Sequence, residues 1–143
     1  MGNLPEHIHD EIKRLCACGD EHVERQAFSK AIESYQAAWQ LLPEPKTNWE
    51  AAKWILVAIG DANFLNRDFG AGCECLKEAM HCPDAIGNPF IHLRLGQCQF
   101  EVGNLDRAAD ELMRAYMGGG KDIFEQDDSK YLQFLASRAQ NIR

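Results

Sequence analysis

The groups that could do chemistry in this chain are six cysteines, five histidines and an excess of acids. Two cysteine pairs stand close together, Cys16-Ala17-Cys18 and Cys73-Glu74-Cys75. On a helix, residues two apart point about 200° away from each other, so neither pair can hold one metal ion by itself. The cysteines read as reduced structural thiols that pack as small hydrophobes. His7 and His9 lie near the start, His22 and His92 near the ends of internal repeats, and His81-Cys82 at a helix end beside Pro83; none comes with an ordered acid, a nucleophile or a glycine-rich loop. Asp106 with Asp110, and Glu74 with Glu78, have the spacing of neighbours on a solvated helix face. Gly120-Lys121 fails as a phosphate loop, because Ala115 and Asp122 stand where the motif requires glycine and serine or threonine. The reading is therefore a chain that is not an enzyme and needs neither cofactor nor metal, with binding as its activity.

Composition points to what it would bind. The net charge of -7 argues against nucleic acid, which needs a basic stripe, and suits a basic protein partner. No apolar run approaches the roughly 18 residues of a membrane span. The start, Met1-Gly2-Asn3-Leu4-Pro5-Glu6, lacks a signal pattern and puts Glu6 where a myristoylation motif wants serine or threonine. A cytoplasmic protein with no membrane contact is expected. A chain of 143 residues suits one domain.

The elements that would position any binding residues show an internal repeat. Gly96 lies 36 residues after Gly60, and Leu105, Ala108, Leu112 and Ala115 stand 36 after Phe69, Gly72, Leu76 and Ala79. A further 41 residues back come Gly19, Phe28, Ala31, Tyr35 and Ala38. Small residues return where helices must touch and large ones where a core must be filled. Over roughly residues 12–120 the chain resembles the tetratricopeptide-repeat (TPR) family. It departs from the family where a tryptophan and a tyrosine often open the first helix, having Leu15 and His22, Leu56 and Asn63, His92 and Gln99 instead. Cys18 and Cys98 fall at packing positions of the repeat. The resemblance implies an all-α fold, a TPR-like right-handed α-solenoid of three helix-turn-helix repeats plus a C-terminal capping helix. As one domain, residues 1–143 would divide into repeats at about 12–45, 48–86 and 88–120, with an acidic loop and capping helix over 121–143.

Local signals place the helices. Asn3 and Pro5 open the first, whose apolar face carries Ile8, Ile12, Leu15 and Val23. The second spans about 28–42 and stops at Pro43-Glu44-Pro45. Thr47-Asn48-Trp49-Glu50 has the form of a capping box, which predicts a third helix over about 48–66. A fourth is expected over 69–81, a fifth from the Asn88-Pro89 cap to about 102, and a sixth over 105–117, closed by Gly118-Gly119-Gly120. A last helix over 129–142 would cap the stack through Tyr131, Leu132, Phe134 and Leu135.

The resemblance also implies a concave groove lined by the first helix of each repeat. Carried across by position, it holds Lys13, Cys16, Asp20 and Val23; then Trp54, Val57, Asp61 and Phe64; then Phe90, Leu93, Gln97 and Phe100, with Arg94 beside them. Trp54, Phe64, Phe90 and Phe100 would form an apolar floor for a partner segment, or else pack between repeats. The family's carboxylate clamp for chaperone tails is disfavoured, since Cys16 and Asp20 stand where it needs lysine and asparagine and only Lys13 and Arg94 suit in charge. A second candidate surface is the acidic loop of Asp122, Glu125, Asp127 and Asp128.

Two kinds of small acidic bacterial TPR protein are similar. One is the immunity protein that neutralises a secreted toxin, and the tail GGGKDIFEQDDSKYLQFL resembles tails of that kind. The other is the type III secretion chaperone, which holds a translocator or effector. The expectation is a bacterial cytoplasmic immunity protein binding a basic toxin, with the chaperone or a general TPR adaptor as alternatives.

Overall fold

The structure is a computed structural model that describes residues 3–139. Among the described residues there are seven α-helices and no strands: α1 Glu6–Glu24, α2 Phe28–Gln40, α3 Glu50–Leu65, α4 Phe69–Ala79, α5 Pro89–Glu101, α6 Leu105–Gly119 and α7 Lys130–Arg138. Consecutive helices pack on one another, and α3 also touches α5. None of them is long and apolar enough to cross a membrane.

The recurring glycines act where helices meet. A Cβ on Gly19 would lie 2.5 Å from the Tyr35 ring, on Gly60 2.6 Å from Leu76 Cγ, and on Gly96 2.8 Å from Leu112 Cγ. Each pair is 16 residues apart, so α1–α2, α3–α4 and α5–α6 are helical hairpins closed by the same contact. The turns repeat as well. Gln26, Arg67 and Gly103 take positive φ angles of 61°, 64° and 87°. The residue after each donates its amide five positions back, Ala27 to His22 at 2.8 Å, Asp68 to Asn63 at 2.8 Å and Asn104 to Gln99 at 2.9 Å. This is the Schellman ending, which satisfies carbonyls the helix leaves open.

One apolar cluster runs from α1 to α5 through Ile12, Tyr35, Ile55, Leu76 and Ile91. A second joins Leu93 and Leu112 to Phe124, Tyr131 and Leu135. The helix that gives buried residues to both is α5, whose residues 91–99 are buried on every face, including the polar His92, Arg94, Gln97 and Gln99. A helix enclosed all round must supply partners for such groups from its neighbours.

Several expected boundaries shift for visible reasons. The capping box at Thr47 and Glu50 does not form: α3 begins at Glu50 behind an extended Trp49, with no side-chain cap. Residues Lys46–Asn48 instead make a short 3-10 turn. Lys46 Nζ donates to the carbonyls of Trp39 and Leu42 at 3.1 and 2.7 Å, satisfying the end of α2. Trp49 Nε1 donates to Pro43 O at 2.8 Å and holds the link down. The fourth helix stops at Ala79, two residues early. The sixth runs on through Gly118 and Gly119, where a Cβ would stand 2.7 Å from Pro89 Cγ at the first and 3.0 Å from Ile123 Cδ1 at the second, so these glycines serve close packing inside the helix. Only Gly120, at φ 69°, ends it. Asn88 caps α5 as expected, accepting from Phe90 N and Ile91 N. The last helix stops at Arg138, with Ala139 extended, and the expected continuation over 140–142 lies outside the described residues.

Candidate functional site

The faces of α1, α2, α3 and α5 enclose a groove of about 480 Å³ lined by Asp20, Val23, Glu24, Tyr35, Trp54, Val57, Ala58, Asp61 and Phe90. Asp20, Val23, Trp54, Val57, Asp61 and Phe90 are groove positions expected from the sequence. Glu24, Tyr35 and Ala58 were not among them. Tyr35 belongs to the second helix of its hairpin, and it reaches the groove because Gly19 leaves room for its ring. Its hydroxyl donates to Asp20 Oδ1 at 2.6 Å, which fixes that carboxylate at the groove wall. Burial, and then this bond and the Asp20 charge, hold the Tyr35 hydroxyl protonated well above the ordinary phenol range.

Behind the groove stands Arg94. Its side chain is 9% exposed, its Nε donates to Asp61 Oδ1 at 2.7 Å, and its Nη1 donates to Gln97 Oε1 at 2.7 Å. Nη1 also faces Asp127 Oδ1 at 3.4 Å, while Gln97 Nε2 donates to Asp127 Oδ2 at 3.0 Å. The guanidinium carbon lies 4.3 Å from the Phe64 ring centre and 5.1 Å from that of Phe90. Burial raises the Asp61 pKa, the Arg94 charge and hydrogen bond pull it back, and the Asp127 charge raises it again. One guanidinium thus serves two carboxyl groups. Arg94 and Gln97 are interior groups that brace the groove.

The remaining expected positions separate into two sets. Lys13 is exposed on α1 and does not line the groove. Cys16 is half-buried, and burial together with the nearby Asp20 charge pushes its thiol up to about 11, which makes it a poor nucleophile. Phe64, Leu93 and Phe100 turn toward the C-terminal segment. The Phe64 and Phe100 rings lie 6.3 and 5.5 Å from Tyr131, and Phe100 lies 5.0 Å from Phe134. The expected cap of Tyr131, Leu132, Phe134 and Leu135 packs in this cluster.

The acidic loop is likewise divided. Asp122, Glu125 and Asp128 are exposed, whereas Asp127 turns inward to Arg94 and Gln97. Asp128 Oδ1 accepts from Lys130 N at 2.9 Å at the start of α7. All six cysteines are free. His92 is enclosed, accepting at Nε2 from Gly87 N at 2.9 Å and donating from Nδ1 to Glu111 at 2.6 Å. Those two bonds occupy both ring nitrogens and assign His92 to bracing the loop before α5.

No protein-family model matches the chain, and no curated protein sequence matches it.

Proposed function

We propose that this chain is a non-catalytic protein-binding module of the TPR type, a right-handed solenoid of three helical hairpins closed by α7 within one domain, residues 1–143. The observation that carries the reading is the repeated glycine contact, Gly19 on Tyr35, Gly60 on Leu76 and Gly96 on Leu112, with the same turn in each hairpin. Hairpins so stacked leave a groove along their first helices, and here its open part joins Trp54, Val57 and Phe90 to the acids Asp20, Glu24 and Asp61. Apolar and aromatic side chains beside charged ones are the make-up of a partner-binding patch.

Within that class we favour a bacterial cytoplasmic immunity protein that binds and neutralises a secreted toxin. The net charge of -7 suits a basic toxin surface, and electrostatic steering would speed capture. A chaperone for a secreted translocator or effector is the second reading, favoured by the aromatic floor at Trp54 and Phe90. Affinity purification of the tagged chain from its own organism, beside a Trp54→Ala/Val57→Asp variant, tests the proposal. One basic partner retained by the parent and lost from the variant, with co-expression relieving that partner's toxicity, is the expected result. A hydrophobic secreted partner would replace the immunity reading with the chaperone one. Failure to retain any partner in a groove-dependent way would overturn the binding-module proposal.

A further inference from the structure

We infer that the open groove takes a basic amphipathic segment of a partner protein, its lysines or arginines set against Asp20, Glu24 and Asp61 and its apolar side chains against Trp54, Val57 and Phe90. The inference rests on the binding-module reading and names the chemistry of the partner.

Charge complementarity selects the occupant. The groove lining holds three acids and no base. The nearest candidate for a compensating charge, Arg94, is buried and divided between Asp61 and Asp127, so it has no free charge for an acidic ligand. Lys13, the other cation expected at the groove, is absent from its lining. An incoming carboxylate would meet like charge, most of all at Asp20 and Glu24, which no base in the lining offsets, whereas an ammonium or guanidinium meets acids on both walls: Asp20 and Glu24 from α1, Asp61 from α3.

The groove is also built to keep its charges in place. Tyr35 donates to one oxygen of Asp20, and Arg94 to one oxygen of Asp61, which orients both carboxylates before a partner arrives. Preoriented acceptors lose less freedom when a cation docks. Trp54 and Phe90 add aromatic surface that can cover the alkyl stem of a lysine or arginine. The length of the groove is shortened at its far end, where Phe64 and Phe100 are in contact with Tyr131 of α7. That restricts the occupant to a short segment lying between α1 and α3 and reaching the start of α5 at Phe90.

The test uses a fluorescein-labelled peptide of alternating lysine and leucine pairs, with a glutamate and leucine peptide of the same length as its charge-reversed counterpart. Anisotropy titration should show binding of the lysine peptide alone. Asp20→Asn/Glu24→Gln should weaken it about tenfold, while Glu74→Gln/Glu78→Gln on α4 should leave it unchanged. Circular dichroism melting checks each variant; should Asp20→Asn/Glu24→Gln lower the melting point, Val57→Lys, which places a cation in the groove, must weaken the lysine peptide instead. Binding of both peptides, equal weakening by the α4 pair, or binding of neither would overturn the inference. If native purification still yields a groove-dependent partner in that event, the binding-module reading stands and the basic chemistry falls.

Discussion

Arg94 of α5 and Asp61 of α3, 33 residues apart in the chain, meet at 2.7 Å at the wall of the groove. Their pairing ties the second hairpin to the third, and Asp127 on the same guanidinium ties both to the C-terminal segment. Removing one partner of a buried pair leaves the others charged and unpaired. Arg94→Met should cost about 3–5 kcal/mol in urea unfolding, and adding Asp61→Asn with Asp127→Asn should recover much of it. A neutral Arg94→Met would show that the guanidinium braces nothing.

The hairpin contacts are testable at single methyl groups. Gly60→Ala and Gly96→Ala place a Cβ within 2.6 and 2.8 Å of Leu76 and Leu112, and overpacking of that kind costs about 1–3 kcal/mol. Gly70→Ala on α4 meets open space and should be neutral or raise stability by up to about 1 kcal/mol. Thermal melts of the three variants separate close contact from general intolerance of alanine.

Phe64 and Phe100 are expected to behave as core. Because both rings pack with Tyr131, Phe64→Ala/Phe100→Ala should lower the melting temperature, and Tyr131→Ala should cost about 3–5 kcal/mol by the same loss of packing. An unchanged melting curve for the double variant would return both residues to the binding surface.

The acids near the C-terminus should respond unequally. Asp122→Lys/Glu125→Lys alters exposed side chains and should stay within about 0.5 kcal/mol of the parent. Asp127→Lys sets a second cation against Arg94 and deprives Gln97 of its acceptor, so it should destabilise the fold clearly. Chemical denaturation of the two variants side by side decides the point.

Alkaline pH should weaken the protein. Burial chiefly, aided by acidic neighbours, raises the Cys16 and Cys75 thiols from 9.0 to about 11. The folded chain then holds these protons when the unfolded chain has released them. The stability they contribute is complete below pH 9.0 and is lost as pH rises toward about 11. Melting temperature should fall across that window, and Cys16→Ala/Cys75→Ala should flatten the fall. Identical slopes would remove the thiols from the account.

Much of the helical framework was legible in residue spacing because hairpin packing is local. Gly60 meets a residue 16 positions later, and small and large side chains at such offsets recur with the hairpin itself. The Asn88-Pro89 cap was legible for the same reason, its bonds reaching only Phe90 and Ile91. The Thr47 capping box failed where longer contacts competed, since Lys46 reached back to α2 and Trp49 to Pro43.

What the sequence by itself determined is therefore a chain of amphipathic helices paired through glycine and alanine, acidic overall, with an aromatic and acidic set on the first helices. Tertiary structure decided which of that set stays open. Helical periodicity assigns a side chain to a face but does not say what lies opposite. The fold put Tyr131 against Phe64 and Phe100 and Asp127 against Arg94, leaving Asp20, Val23, Trp54, Val57, Asp61 and Phe90 of that set to line the groove. Those pairings join residues about thirty or more positions apart, where no repeat of one hairpin carries the information.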